Sequence, residues 1–257
     1  MSRPASDDAL PRNVQLAWGL SDPGTRGPRR GLNLDQVLDA AIAVANSDGL
    51  DAMSMSRVAK ELGFTTMSLY RYVDSKDQLV ELAWDRALGP PPELPSGGTW
   101  RERIDAWSTA EYRALREYRW LTAHPIRSAP YWPNNMRWLD AGLGALSDTP
   151  LTEPAKVQIV TTISLYVISR ARFSWELDAV VADDGLDYPT VLPRILDPDR
   201  YRWVLAAVAG GAFDPGPPDE DQGQWHEQEF RFGLDRLLDG IEVLVRNSTS
   251  HHREGHR

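Results

Sequence analysis

Hydroxyl, aromatic and basic side chains are concentrated in the fifteen residues from Leu62 to Lys76. The stretch reads Leu-Gly-Phe-Thr-Thr-Met-Ser-Leu-Tyr-Arg-Tyr-Val-Asp-Ser-Lys. Hydroxyls and a guanidinium can hydrogen-bond to phosphate oxygens and base edges, and rings and a thioether can make apolar contacts with bases. These residue types therefore suit the surface of a nucleic-acid duplex. The side chains expected on the outward face are Thr66, Ser68, Arg71 and Tyr72, with Met67 and Tyr70 at its margins.

Two short helices would be needed to present these side chains. Gly63 follows the helical stretch Ser54 to Leu62 and can take the left-handed conformation that ends a helix. Thr65 is then expected to cap a second helix, from Thr66 to Val73, by accepting a hydrogen bond from a backbone N–H of the first turn. The pattern predicts a helix-turn-helix whose second half enters a DNA groove.

Residues 56–79 contain a longer sequence pattern than a generic helix-turn-helix requires. They read Ser-Arg-Val-Ala-Lys-Glu-Leu-Gly-Phe-Thr-Thr-Met-Ser-Leu-Tyr-Arg-Tyr-Val-Asp-Ser-Lys-Asp-Gln-Leu, with a capped helix starting near Lys76. This run resembles the DNA-binding signature of the TetR family of bacterial transcriptional regulators. The resemblance implies DNA contacts at the matching positions, with Arg71 and Lys76 on phosphates and Thr66 and Met67 near bases. The full set is Ser56, Thr65, Thr66, Met67, Ser68, Tyr70, Arg71, Tyr72 and Lys76.

The first 31 residues are predicted to be a mobile basic extension. Five prolines and glycines lie between Pro23 and Gly31, and no helical periodicity is sustained. Arg29 and Arg30 precede the first helix, where an arm could reach DNA phosphates or a minor groove. A solvated charged tail is the alternative interpretation.

Helical periodicity continues through the rest of the chain, and no alternating strand pattern interrupts it. Capping-box patterns at Asn33, Ser75 and Thr99 mark helix starts, and Gly89 to Gly98 is a turn-rich connection. The sequence predicts an all-α protein. The resemblance implies a three-helix DNA-binding domain with a connecting helix and a C-terminal helical domain for ligand binding and dimerisation. The predicted bounds are 32–88 and 99–247, with 248–257 as a disordered tail.

Ten tryptophans are present, and half of them crowd the middle of the second region, between Trp107 and Trp175. Aromatic residues at helical spacing usually fill a core, whereas in a helix bundle they can also line a ligand pocket with a few polar groups. Because the resemblance implies an effector-binding domain here, we expect a pocket for a small hydrophobic or aromatic molecule. The candidate lining residues are Trp107, Tyr112, Trp120, His124, Trp132, Trp138, Tyr166 and Arg170.

Two helices carry apolar side chains on more than one side or in a long stripe, near residues 154–179 and 224–246. The resemblance implies that these helices pair with their mates in a homodimer. Two recognition helices about 34 Å apart could then read a palindromic operator. We expect a repressor that dissociates from its operator when a small effector binds and changes this separation. An activator or architectural DNA-binding protein without an effector is the alternative.

Composition excludes several other classes. The net charge is −9, although seven basic and six acidic side chains between Gly24 and Lys76 leave that part at +1. Cysteine is absent, and no apolar run approaches the roughly 20 residues that cross a bilayer. His226 and Glu229 have metal-ligand spacing but lack a further ligand, and no nucleophile motif is found. We expect a cytoplasmic protein with no membrane contact, catalytic residue, metal or cofactor; a helical small-molecule enzyme is the remote alternative.

Overall fold

The computed structural model describes residues 10, 12–20, 32–123, 131–184, 188–213 and 222–254. All regular structure in these ranges is helical, which confirms the predicted all-α class. The α-helices are α1 (Arg12–Ala17), α2 (Leu34–Asp48), α3 (Met55–Leu62), α4 (Thr66–Leu69), α5 (Lys76–Leu88), α6 (Trp100–Glu117), α7 (Arg119–Ala123), α8 (Pro133–Ala145), α9 (Glu153–Asp184), α10 (Tyr188–Ile195), α11 (Arg202–Ala209) and α12 (Gln222–Glu254). A 3-10 turn, Leu50–Ala52, links α2 to α3.

The first unit is a small bundle in which α3 and α5 pack against α2. The start of α2 is fixed by a full capping box, since the Asn33 side chain accepts from the Gln36 N–H at 2.8 Å and the Gln36 side chain accepts from the Asn33 N–H. Buried aliphatic residues from all three helices form its core. They include Val37, Ala41, Val44, Val58, Ala59, Leu79, Leu82 and Ala83.

The second unit is built on α6, which contacts α8, α9 and α12. Thr99 and Glu102 form the predicted capping box that begins α6. Fully buried side chains from the three longer helices meet in its core, among them Ile104, Trp107, Leu115, Ile163, Val167, Phe230, Leu234 and Leu238.

One close approach fixes the spacing between α9 and α12. A Cβ atom built on Gly233 of α12 would lie 2.7 Å from Cζ and 2.9 Å from Cε2 of Tyr166 on α9. The phenol of Tyr166 donates a hydrogen bond of 2.7 Å to the Phe230 carbonyl, one turn earlier on α12. The absence of a side chain at Gly233 therefore lets the ring lie directly on the backbone of α12.

A set of polar contacts joins the two units. The Trp84 indole N–H of α5 donates to the Leu121 carbonyl of α7 at 2.8 Å, and the Trp120 indole N–H donates to Asn46 Oδ1 of α2 at 2.7 Å. The buried Asp85 carboxylate accepts from the Asn134 and Asn135 N–H groups at the start of α8, at 3.1 and 2.8 Å. Because a carboxylate complements a helix N-terminus, this contact docks α5 against α8.

Both predicted terminal segments contain helix. In the N-terminal extension, α1 packs Val14 and Ala17 on the core, and the Trp18 indole N–H donates to the Tyr131 carbonyl at 3.0 Å. In the predicted C-terminal tail, α12 continues to Glu254. None of the helices within the described ranges has the length and apolar content needed to cross a membrane.

Candidate nucleic-acid interface and ligand pocket

The predicted helix-turn-helix is formed by α3, a tight turn and α4. Ser54 caps α3 by accepting from the Arg57 N–H at 3.2 Å. Gly63 ends α3 in the left-handed conformation, with φ of 72°. The short α4 is held by Leu69 and, just beyond it, Val73, which are both fully buried. Two apolar anchors on one side therefore leave the opposite side of α4 in solvent.

The exposed surface around α4, including the residues that follow it up to Lys76, carries most of the predicted DNA contacts. Met67 is 74% exposed and Tyr70 is 45% exposed. Arg71 and Lys76 are also exposed, and neither forms an ion pair with another residue in the described ranges. Their charges are therefore available to phosphate oxygens. Ser56 and Thr65 are exposed as well, whereas Thr66 and Ser68 are half-buried.

Two of these predicted residues do not have the expected environment. Thr65 lies at the N-cap of α4, but its hydroxyl bonds to the Ser68 hydroxyl at 3.0 Å and not to a backbone N–H. Tyr72 does not lie on the outward face; it is half-buried, and its hydroxyl donates to the Leu32 carbonyl. In addition, α4 ends at Leu69 and not at Val73. The hydroxyl of Tyr72 therefore ties α4 to the start of α2 and is unavailable for DNA.

Sequence reasoning missed two exposed neighbours of this face. Lys60 on α3 forms no ion pair with a described residue, and Phe64 in the turn is 45% exposed. By contrast Arg57 is engaged by Asp48 at 3.1 Å and Glu61 at 2.6 Å. Arg29, Arg30 and His124, which the sequence also suggested as site residues, lie outside the described residues.

The aromatic residues predicted to line one pocket fall into separate groups. Trp107 and Trp138 meet edge to face, with centroids 6.3 Å apart. The Trp107 indole N–H donates to the Trp138 carbonyl at 3.0 Å, and the Trp138 indole N–H donates to the Gly89 carbonyl at 2.9 Å. Trp132, 5% exposed, is the N-cap residue of α8. With their N–H groups satisfied and their rings buried, Trp107 and Trp138 belong to the core.

A second group stacks where α6, α9 and α12 meet. The Tyr112 and Phe230 rings are parallel, with centroids 4.1 Å apart, and Tyr166 packs on the other side of Phe230 at 5.9 Å. The Tyr112 hydroxyl donates to the His226 carbonyl at 3.4 Å. Arg170 lies 3.5 Å from Glu229. This stack is a core element whose outer edge opens to a cavity.

That cavity has a volume of about 240 Å³. One wall is the edge of Tyr112, and charged side chains from the end of α6 and the start of α12 surround it. Across it, Arg113 and Glu227 form an ion pair of 3.0 Å. The lining residues are Tyr112, Arg113, Arg116, Glu117 and Glu227.

A larger cavity of about 540 Å³ lies at the junction of the two units. The end of α2 and its following turn form one side, and the end of α6 with α7 forms the other, including Trp120. Glu117 lines both cavities, so the C-terminus of α6 separates them. Trp120 thus belongs to the inter-unit contact and not to the stack of Tyr112 and Tyr166.

A buried acid lies beside the aromatic stack. Glu111 of α6 is 7% exposed, and the Ser164 hydroxyl of α9 lies 3.0 and 3.2 Å from its two carboxylate oxygens. Burial disfavours the charged form and raises the pKa of Glu111 to about 7, although the Ser164 hydrogen bond opposes the shift. Within the described residues, no group of His, Asp and Glu side chains could hold a metal ion.

Two family profiles match separate parts of the chain. Residues 37–83 match the bacterial regulatory proteins of the tetR family, and residues 91–209 match the tetracyclin repressor-like C-terminal domain. Among solved structures, ActR of Streptomyces coelicolor in complex with (S)-DNPA superposes with a TM-score of 0.66 at 24% identity, over 82% of this chain and 98% of that chain. This likeness shows the shared fold.

Curated relatives extend the match across nearly the whole sequence. The HTH-type transcriptional repressor DrrR1 of Streptomyces coeruleorubidus is 34% identical over 246 residues, which cover 92% of this chain and 87% of the relative. The class D tetracycline repressor protein of Escherichia coli is 23% identical over 217 residues, 83% of this chain and 91% of the relative. The chain therefore belongs to the TetR family of bacterial transcriptional regulators.

Proposed function

We propose that the protein is a homodimeric repressor that binds a palindromic operator and releases it when a small molecule occupies the second unit. The observation that carries the proposal is the exposed surface of α4 and of the residues just after it, where Met67, Tyr70 and Arg71 lie in solvent. Phosphate contacts from Arg71 and Lys76 would position the helix, and Thr66 and Met67 would read bases. The name of the relative DrrR1, a transcriptional repressor, supports repression.

The dimer is supported by apolar surface on α9 and α12. Their large hydrophobic side chains that are between 43% and 66% exposed are Val157, Leu165, Phe173, Phe232, Val243 and Leu244. Apolar patches of this kind on long helices favour a helical interface with a second copy. A twofold axis through α9 and α12 would present two α4 helices to successive major grooves, about 34 Å apart. We also propose that residues 32–88 and 99–247 act as the two functional domains.

The contacts between the two units provide a route for the switch. A ligand in the second unit alters DNA affinity only if it binds the two conformations of the junction unequally. The cavity beside Tyr112 and the junction cavity share Glu117. Trp120, three residues further along the chain, donates a hydrogen bond to Asn46 of α2. A shift at the end of α6 would therefore reach α2 directly. ActR of Streptomyces coelicolor has been solved in complex with actinorhodin, which supports a ligand site in this fold.

The experiment that tests the proposal is a binding titration of the purified protein against DNA flanking its own coding region. Titrations at two salt concentrations, with unrelated competitor DNA, separate specific from nonspecific binding. We expect footprinting to reveal a protected inverted repeat and sedimentation to give two protein chains per repeat. Protection of a single half-site by one chain would contradict the dimer, and equal affinity for competitor DNA would contradict the repressor.

A further inference from the structure

Two buried donors at the edge of the aromatic stack lack acceptors. Nε of Arg116 and Nε1 of Trp175 are shielded from solvent and have no hydrogen-bond partner among the described residues. The two side chains are neighbours, with Arg116 Cζ 5.7 Å from the Trp175 ring and 5.8 Å from the Tyr112 ring. Because buried N–H groups are nearly always paired, both groups can donate to an acceptor oxygen that a ligand brings.

The cavity lining carries two arginines and two glutamates, so its formal charge is zero, but these four side chains are not all in ion pairs. Arg113 pairs with Glu227 at 3.0 Å. Glu117 is hydrogen-bonded with the Tyr118 hydroxyl, which is the main cause of the raised pKa of that tyrosine. Arg116 has no carboxylate within ion-pair distance in the described ranges, although it is half-buried between two aromatic rings. The Arg116 guanidinium is therefore available to pair with an anionic group of a ligand.

We infer that the cavity beside Tyr112 binds a small planar acid, whose carboxylate or phenolate oxygen accepts hydrogen bonds from Arg116 and Trp175. The inference rests on the proposed function and specifies the chemical class of its effector. A volume of about 240 Å³ accommodates a compound of one or two rings. The Tyr112 ring supplies an apolar wall of the cavity, and the Trp175 ring lies behind it, 5.7 Å from Cζ of Arg116. The Arg116 guanidinium gives selectivity for a negatively charged group.

The test compares two probes of nearly equal shape, 2-naphthoate and 2-naphthamide, by isothermal titration calorimetry on the full chain. We expect the carboxylate to bind at least about tenfold more tightly than the amide, since only the anion satisfies the charge of Arg116. Arg116→Gln should abolish this preference. Arg172→Gln is the matched control, because Arg172 is an exposed arginine of α9 that pairs with Glu176, and it should retain the preference.

A second variant allows the inference to be tested even if Arg116→Gln does not fold. Trp175→Phe keeps the ring and removes the N–H, and it should weaken naphthoate binding about threefold while leaving naphthamide binding unchanged. Thermal melting followed by circular dichroism checks that each variant is folded. Equal binding of the two probes to the unmodified protein, or an equal loss in Arg116→Gln and Arg172→Gln, would overturn the inference.

Operator binding is measured on the same samples so that the two proposals can fail separately. If the operator is bound but naphthoate shows no preference over naphthamide, the planar-acid site is wrong and the repressor stands. If the preference depends on Arg116 but no operator is bound, the site is supported and the repressor proposal is contradicted.

Discussion

The exposed surface around α4 and the aromatic groups of the second unit contain similar residue types, but the first lie in solvent and the second are buried. On α4 and just after it, Met67 and Tyr70 lie in solvent, and the Arg71 charge is unpaired among the described residues. In the second unit, Trp107 is 1% exposed and its N–H is bonded within the protein. The comparison teaches that an abundance of aromatic residues does not locate a ligand site, whereas unpartnered polar groups do. The candidate ligand position is accordingly at the edge of the aromatic stack, by Arg116.

The largest expected effect comes from removing a core ring. Trp107→Ala should lower the free energy of unfolding by about 3–5 kcal/mol, because it deletes a buried indole and leaves a cavity. Met67→Ala, at a residue that is 74% exposed, should change it by less than about 0.5 kcal/mol. Urea denaturation monitored by circular dichroism measures both. A small effect of Trp107→Ala would mean that the ring lines an open pocket after all.

The next effect is a pH dependence from Glu111. Its pKa is about 7 in the folded protein and 4.5 for the free side chain, so the folded state retains a proton that the unfolded state loses. Stability should therefore be highest below pH 4.5 and decrease by about 3 kcal/mol as pH rises to 7, from this group alone. Comparing urea denaturation of Glu111→Gln with the unmodified protein at several pH values isolates this contribution. Parallel pH profiles for the two proteins would contradict it.

On the DNA face, a charge and an apolar side chain should have different effects. Arg71→Ala is expected to weaken dimer binding to every sequence by at least about tenfold and reduce the salt slope by about 2, since it removes one phosphate contact from each half-site. Met67→Ala should leave the salt slope unchanged and alter the preferred operator sequence. Titrations against operator and single-base variants at several salt concentrations distinguish these effects. The division of roles would be wrong if both variants had the same salt slope.

The smallest effect is expected at the junction between the two units. Asn46→Ala removes the acceptor for the Trp120 indole and should cost about 0.5–1.5 kcal/mol of stability. Asn46 lines the junction cavity beside α7 and is not one of the predicted DNA contacts. We therefore expect unchanged operator affinity without effector and a changed concentration of effector needed to release the operator. Operator release titrations with and without the substitution provide the measurement. An unchanged release curve would remove this bond from the switch.

The helix-turn-helix could be predicted from sequence because its determinants are local. Gly63 ends α3 and Ser54 caps it within a few residues, and Leu69 and Val73 follow helical spacing. Tyr72 was misplaced because its partner, the Leu32 carbonyl, is 40 residues away in the chain. Local spacing can assign a side chain to a helix face but not to a distant acceptor.

The ligand site could not be predicted for the same physical reason. Arg116 on α6 and Trp175 on α9 are about sixty positions apart in the chain. Their unsatisfied N–H groups become evident only when α6 and α9 are packed together. Similarly, the docking of Asp85 on the start of α8 joins residues 49 and 50 positions apart. The sequence pattern predicted that the helices exist, but not which polar groups would be left without partners.

The contact between Gly233 and Tyr166 has a consequence for how this protein can diverge. Any side chain at residue 233 would meet ring carbons of Tyr166 within 3 Å, so mutation of either residue alone is constrained by the other. Gly233→Ala should destabilise the folded protein, and a smaller residue at position 166, such as Tyr166→Leu, should restore stability. Related sequences are thus expected to change residues 233 and 166 together or to keep both. A genetic screen for suppressors of Gly233→Ala should recover substitutions at Tyr166.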